Sequence, residues 1–190
     1  MTLLKWIKKL LYPVLMHLLP KTKLLSPKHV LMTSSIYQIP LRDIDGNNTT
    51  LASYKGKKLL IVNVASECGY THQYAQLQEL YDLHKEKIIV LGFPSNNFGA
   101  QEPGNNIAIK FFCTENYQVT FPMFEKSDVV GESMNPLYQW LSDKELNGWN
   151  DKQPNWNFCK YLVSENGELL NFFSETVSPF DEAITTQISI

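Results

Sequence analysis

"KKLLIVNVASECGYTHQYAQLQELYDLHKEKIIVLGF", residues 57–93, decides the architecture. Leu59 to Val64 form a continuous apolar run ended by small residues, the pattern of a strand covered on both faces. Tyr74, Leu77, Leu80, Tyr81 and His84 then recur at helical spacing, which predicts a helix over 71–85. "KIIVLGF" follows as a second buried strand. Two buried strands separated by a helix imply a parallel pair joined by a right-handed crossover.

Cys68 stands at the corner between the first strand and the helix. The positive end of a helix and its unpaired N–H groups favour a thiolate there. Glu67 acts in the opposite sense, so its side chain is expected to point outward. Thr71 occupies the position where a dithiol motif would carry its second Cys, which excludes a CxxC couple. His72 reads as a solvated helix-face side chain, since no second Cys/His cluster lies nearby in sequence. Position alone leaves both a reactive thiol and an inert core thiol open.

Before this unit, "YQIPLRD" and Thr49–Leu51 flank the turn "DGNN" and predict a short hairpin. After it comes a long polar loop, "PSNNFGAQEPGNN", of the length that is functional or disordered in compact domains. "IAIKFFCTENY" resumes a helical pattern, with Ile107, Phe111 and Phe112 on one side. A short helix is predicted from Asn135 and Pro136. "NFCKYLVSENGELLNFF" predicts a hairpin turning at Asn166 and Gly167. A final helix is expected with Ser178 as cap and Pro179 at its first position. No internal repeat is visible. This order predicts an α/β, thioredoxin-like fold with an added N-terminal β-hairpin and a central mixed sheet flanked by helices.

A chain of 190 residues accommodates one domain with a core plus an appendage. We divide it into a basic amphipathic extension and linker, 1–34, and a domain, 35–190. Hydrophobic residues at 44% exclude wholesale disorder, and a net charge of −2 argues against a nucleic-acid partner. Three Cys do not make the disulfide framework of a small secreted scaffold. In the first 25 residues Lys5, Lys8, Lys9, Lys21 and Lys23 have no acidic counterpart. Leu3, Leu4, Ile7, Leu10, Leu11, Val14 and Leu18 share one helical face opposite Lys5, Lys8 and Lys9. Residues 3–19 thus read as a membrane-surface segment, with a signal or lipid-proximal anchor and a packed extension as the other readings. The Lys-free stretch, Leu10 to Pro20, is shorter than the roughly 20 residues of a spanning helix, and Pro13 interrupts it. A cytoplasmic or membrane-associated protein is expected, or an exported one should the segment be a signal.

"NVASECGYT", "LGFPSNNFGAQEPG", "FCTENYQVTFPMFEKSDVVG", "WNFCKYLV" and "NGELLNFF" occur in that order. Together they resemble the signatures of the glutathione peroxidase family, over roughly residues 36 to 188. The resemblance implies a peroxidatic Cys68, with Trp156 and Asn157 as two of its neighbours. Indole and amide N–H groups are donors that do not titrate, so they suit a developing oxyanion. The family's Gln position is matched to Asn97, one methylene shorter, and Ser95 replaces a family Cys. Cys113 aligns with the resolving Cys of the cysteine-type, thioredoxin-dependent branch, whereas Cys159 reads as structural. The implied substrate is hydrogen peroxide or an organic or lipid hydroperoxide, and the implied reductant is a thioredoxin-like protein or glutathione. The short segment "SDVVGESMNPLYQWL" lacks the insertion of oligomeric members, which implies a monomer. No cofactor or metal is expected. A peroxide-sensing relay and an inactive thioredoxin-fold module remain the alternatives to a peroxidase.

Overall fold

The computed structural model describes residues 21–27 and 34–189. The segment 3–19, read above as amphipathic, lies outside them. The elements run β1 (Lys23–Leu25), β2 (Leu41–Arg42), β3 (Asn48–Thr49), β4 (Lys58–Val64), α1 (Gln73–His84), β5 (Ile88–Pro94), α2 (Asn106–Tyr117), α3 (Pro136–Leu141), α4 (Lys144–Asn147), β6 (Lys160–Val163), β7 (Leu169–Phe173) and α5 (Glu182–Ser189).

Five strands form one mixed sheet in the order β1-β7-β6-β4-β5. β4 and β5 pair in parallel, Leu60 beside Val90, and α1 makes the crossover. β6 lies antiparallel to β4, and β7 antiparallel to β6. Every residue of β4 and β5 is buried, as their predominantly apolar runs require, with Lys58 and Asn63 of β4 as buried polar exceptions. Strand alternation sends Leu60, Val62 and Val64 to one face and Leu59 and Ile61 to the other. The first face packs Tyr74, Leu77 and Leu80 of α1, Ile109 of α2 and Ile184 of α5. The second packs Leu137, Tyr138 and Trp140 of α3. This is the thioredoxin-like arrangement, with the expected hairpin β2–β3 beside it.

The local departures have physical reasons. Within the stretch read as linker, Lys23–Leu25 adds an edge strand to β7, and Lys23 closes an ion pair with Asp181 at 2.6 Å. The hairpin strands hold two residues each, because Asp43 accepts the N–H groups of Asp45 and Asn47 and Leu51–Tyr54 turns into a 3-10 helix. On α2 the buried residues are Ile109 and Cys113, whereas Ile107 and Phe111 are 81% and 66% exposed. An apolar stripe on a helix therefore did not identify its buried face. Helix α5 begins later than expected: Asp181, not Ser178, accepts the N–H of Ala183, and Ser178 caps the preceding turn through Phe180 N–H. The β6–β7 turn matches expectation. Gly167 has φ 87°, and a Cβ there would stand 2.7 Å from the Tyr37 ring.

Candidate active site

Cys68 lies in a buried turn between β4 and α1, not on the first turn of the helix, which starts at Gln73. Thr71 builds that turn. Its Oγ1 accepts the Cys68 N–H at 2.9 Å and lies 2.9 and 2.8 Å from the carbonyls of Ala65 and Cys68. The Thr in the dithiol slot is thus a structural staple. Tyr70 N–H points at the Cys68 Sγ at 3.4 Å, supplying the donor that the helix terminus was expected to supply. Glu67 and His72 are exposed.

Trp156 and Asn157 come from the segment just before β6, 88 and 89 positions after Cys68, and both lie near enough to its sulfur to favour the thiolate. Asn63 of β4 holds them there. Its Nδ2 donates to Trp156 O at 2.9 Å, and its carbonyl accepts Phe158 N–H at 2.6 Å. Phe158 sits in the left-handed region at φ 70°, a strain of order 1–3 kcal/mol for an aromatic residue that burial and the Asn63 bond offset. Trp156 also leans on Phe98, with ring centroids 5.8 Å apart. The Cys68 thiol is 3% exposed, and burial raises its pKa above 9.0. The Tyr70, Trp156 and Asn157 donors pull it back down, and the charge of Glu175 adds a smaller upward push.

Asn97 is not among these groups. Its Nδ2 donates to Asp128 at 2.7 Å, and its Oδ1 accepts Ser95 Oγ–H and Val129 N–H at 2.7 and 2.8 Å. It ties the polar loop to the 127–130 segment. The amide that does reach the site is Gln101, whose Oε1 accepts Asn157 Nδ2 at 3.0 Å and whose carbonyl accepts Glu67 N–H at 2.9 Å. The stretch "SNNFGAQEPG" contains both amide positions, Asn97 and Gln101.

Cys113 is 1% exposed on the inner face of α2, in the same core layer as Cys68. Burial lifts its thiol to about 11, partly offset by Tyr74. Cys159 is buried on the other layer, 3.1 Å from Asn155 Oδ1, and burial lifts it to about 11 as well. All three thiols are free. Among the described residues, no cluster of His, Cys, Asp and Glu is placed to hold a metal ion, and no helix is long and apolar enough to cross a membrane.

The family model described as glutathione peroxidase matches residues 36–142. The glutathione peroxidase homolog BsaA of Bacillus subtilis is 45% identical over 146 residues, 76% of this chain and 91% of the relative. The glutathione peroxidase-like peroxiredoxin 2 of Saccharomyces cerevisiae is 42% identical over 161 residues, 83% of this chain and 99% of the relative. The crystal structure of T. cruzi GPX1 superposes with a TM-score of 0.63 at 31% identity, over 82% of this chain and 97% of that one. A thioredoxin family protein from Chlorobium tepidum, at 14% identity and a TM-score of 0.54 over 86% of this chain and 99% of that one, shares the fold alone. The chain belongs to the glutathione peroxidase family and is a peroxidase built on a thioredoxin-like fold.

Proposed function

We propose that Cys68 is the peroxidatic residue of a two-cysteine thiol peroxidase. The observation that carries this is the convergence of Tyr70 N–H, Trp156 and Asn157 on one buried sulfur. The Cys68 thiolate attacks the terminal oxygen of a hydroperoxide, the O–O bond breaks, and the departing alkoxide or hydroxide takes up a proton. Cys68 is left as sulfenic acid. Fixed N–H donors stabilise both the thiolate and the oxygen on which charge develops. Gln101 is assigned as the residue that positions Asn157, because its Oε1 accepts the Asn157 amide N–H.

Cys113 resolves the sulfenic acid in this reading. Its sulfur attacks the Cys68 sulfur, a disulfide forms, and the hydroxyl leaves as water with the Cys113 proton. A thioredoxin-like dithiol then reduces the disulfide by exchange, with glutathione as the weaker donor. The chain acts as a monomer, and residues 3–19 seat it on an anionic lipid surface; sedimentation alone and with vesicles tests both points. Peroxide turnover coupled to a thioredoxin, compared with glutathione, tests the cycle. Turnover with thioredoxin that disappears in Cys113→Ser supports it, and equal turnover in that variant overturns the resolving role.

A further inference from the structure

Glu102 is a carboxyl 1% exposed that the chemistry above does not use. It lies next to Gln101, and together they form two adjacent rungs to the residues just before Cys68. Ser66 Oγ–H donates to Glu102 Oε2 at 3.1 Å, and Glu67 N–H donates to Gln101 O at 2.9 Å. Three residues further on, Asn105 caps α2, the helix that carries Cys113. Asn96 Oδ1 accepts Glu102 N–H at 2.9 Å, and Lys126 Nζ donates to the carbonyls of Glu102 and Gly104. A short clamp therefore joins the Cys68 turn to the start of the Cys113 helix.

We propose that Glu102 is a positioning residue for the resolving step: its buried carboxyl holds the Cys68 turn and the Cys113 helix together in the reduced protein, and its ionisation releases them so that the two sulfurs can meet. This rests on the assignment of Cys113 as the resolving thiol. The groups that face the carboxyl are Ser66, Glu67 and Lys126, and its charge also reaches Tyr74 of α1 and Cys113 of α2. Ser66 gives it a side-chain and a backbone hydrogen bond and Lys126 a favourable charge, yet burial outweighs all three, so hydration by opening favours the carboxylate. Burial raises the group to about 7 when the clamp is closed, against 4.5 in water. Opening therefore releases a proton, and it is promoted as pH rises from 4.5 to about 7 and unaffected by this group above that. Release also exposes Cys113, whose thiol the closed core holds protonated.

The test uses the full chain, wild type and Glu102→Gln, in two arms. In the first, hydrogen exchange of amides 105–117 in the reduced protein is followed with pH. The wild type should lose protection between about pH 5 and 7, by roughly tenfold per unit at most, and then level off. The variant should keep the protection seen at low pH. In the second arm, one equivalent of peroxide is added and formation of the Cys68–Cys113 disulfide is timed. The ratio of wild-type to variant rates should rise at least about tenfold across the same window and stay flat above it, thiolate effects cancelling in the ratio. Parallel pH courses in either arm overturn the proposal. If no such disulfide forms, the resolving assignment fails, and the exchange arm alone decides the clamp. Should Glu102→Gln not fold, Ser66→Ala substitutes for it: loss of the rung should raise exchange over 105–117 several-fold in both arms' conditions, and unchanged exchange overturns the clamp.

Discussion

Asn157 donates its side-chain amide to the Gln101 carboxamide oxygen at 3.0 Å, across 56 positions of sequence. The contact turns an amide of the β6 approach and an amide of the polar loop into one unit beside Cys68. It also leaves Gln101 Nε2 as a further donor, since an amide oxygen accepts and its nitrogen donates.

Removing that unit should slow chemistry, whereas removing Asn97 should not. Gln101→Ala is expected to lower the rate of Cys68 oxidation by about 100-fold, the low end of the cost of one preorganised donor, because Asn157 loses the partner that orients it. Asn97→Ala should leave the rate within about twofold and reduce stability by about 1–2 kcal/mol, because Val129 N–H and Ser95 lose their acceptor. Stopped-flow peroxide consumption and denaturant melts of the two variants check both halves.

The resting Cys68 thiol should titrate above 9.0, since burial outweighs its three donors. Only the thiolate attacks, so the second-order rate with peroxide should climb about tenfold per pH unit up to pH 9. Trp156→Phe removes a donor and should move the thiol higher still. Ultraviolet thiolate absorbance and the pH–rate profile measure this, and a rate plateau near neutral pH contradicts it.

Lys160 is fully buried on β6, donating to the carbonyls of Val177 and Glu175, and burial lowers it to about 7. The unfolded chain keeps this Lys charged up to 10.5, so between 7 and 10.5 the unfolded state binds more protons. Its contribution therefore rises with pH through that window and is constant below it. Denaturant stabilities at pH 7 and pH 10 should show a gain in the wild type, relative to Lys160→Met, on the order of 2–4 kcal/mol. Equal pH dependence in the two proteins would refute the assignment.

The sheet and its crossover were legible because they rest on burial pattern alone. Leu59 to Val64 and Ile88 to Phe93 have no polar face to mislead the reading. Helix α2 itself was legible but its buried face was not, because Ile107 and Phe111 are apolar yet exposed, and only tertiary contact reveals that Ile109 and Cys113 face the core. The β1 strand was hidden because a three-residue edge partner needs no alternation of its own. Cys68, Trp156 and Asn157, which the structure brings together, were named through the motifs of the resemblance. Gln101 was missed because the same loop offers two amide positions, and the choice between them depends on loop conformation. That conformation is set by Asn97 bonding to Asp128 and Val129, contacts that no local pattern announces.

The central claim is that Cys68 and Cys113 form one redox couple. The most direct measurement adds one equivalent of peroxide to the reduced protein and maps its thiols by mass spectrometry, with Cys113→Ser alongside. The account predicts an intramolecular Cys68–Cys113 disulfide in the wild type and sulfenic or sulfinic acid at Cys68 in the variant. A free Cys68 thiol after peroxide, or a bond from Cys68 to Cys159, would contradict it.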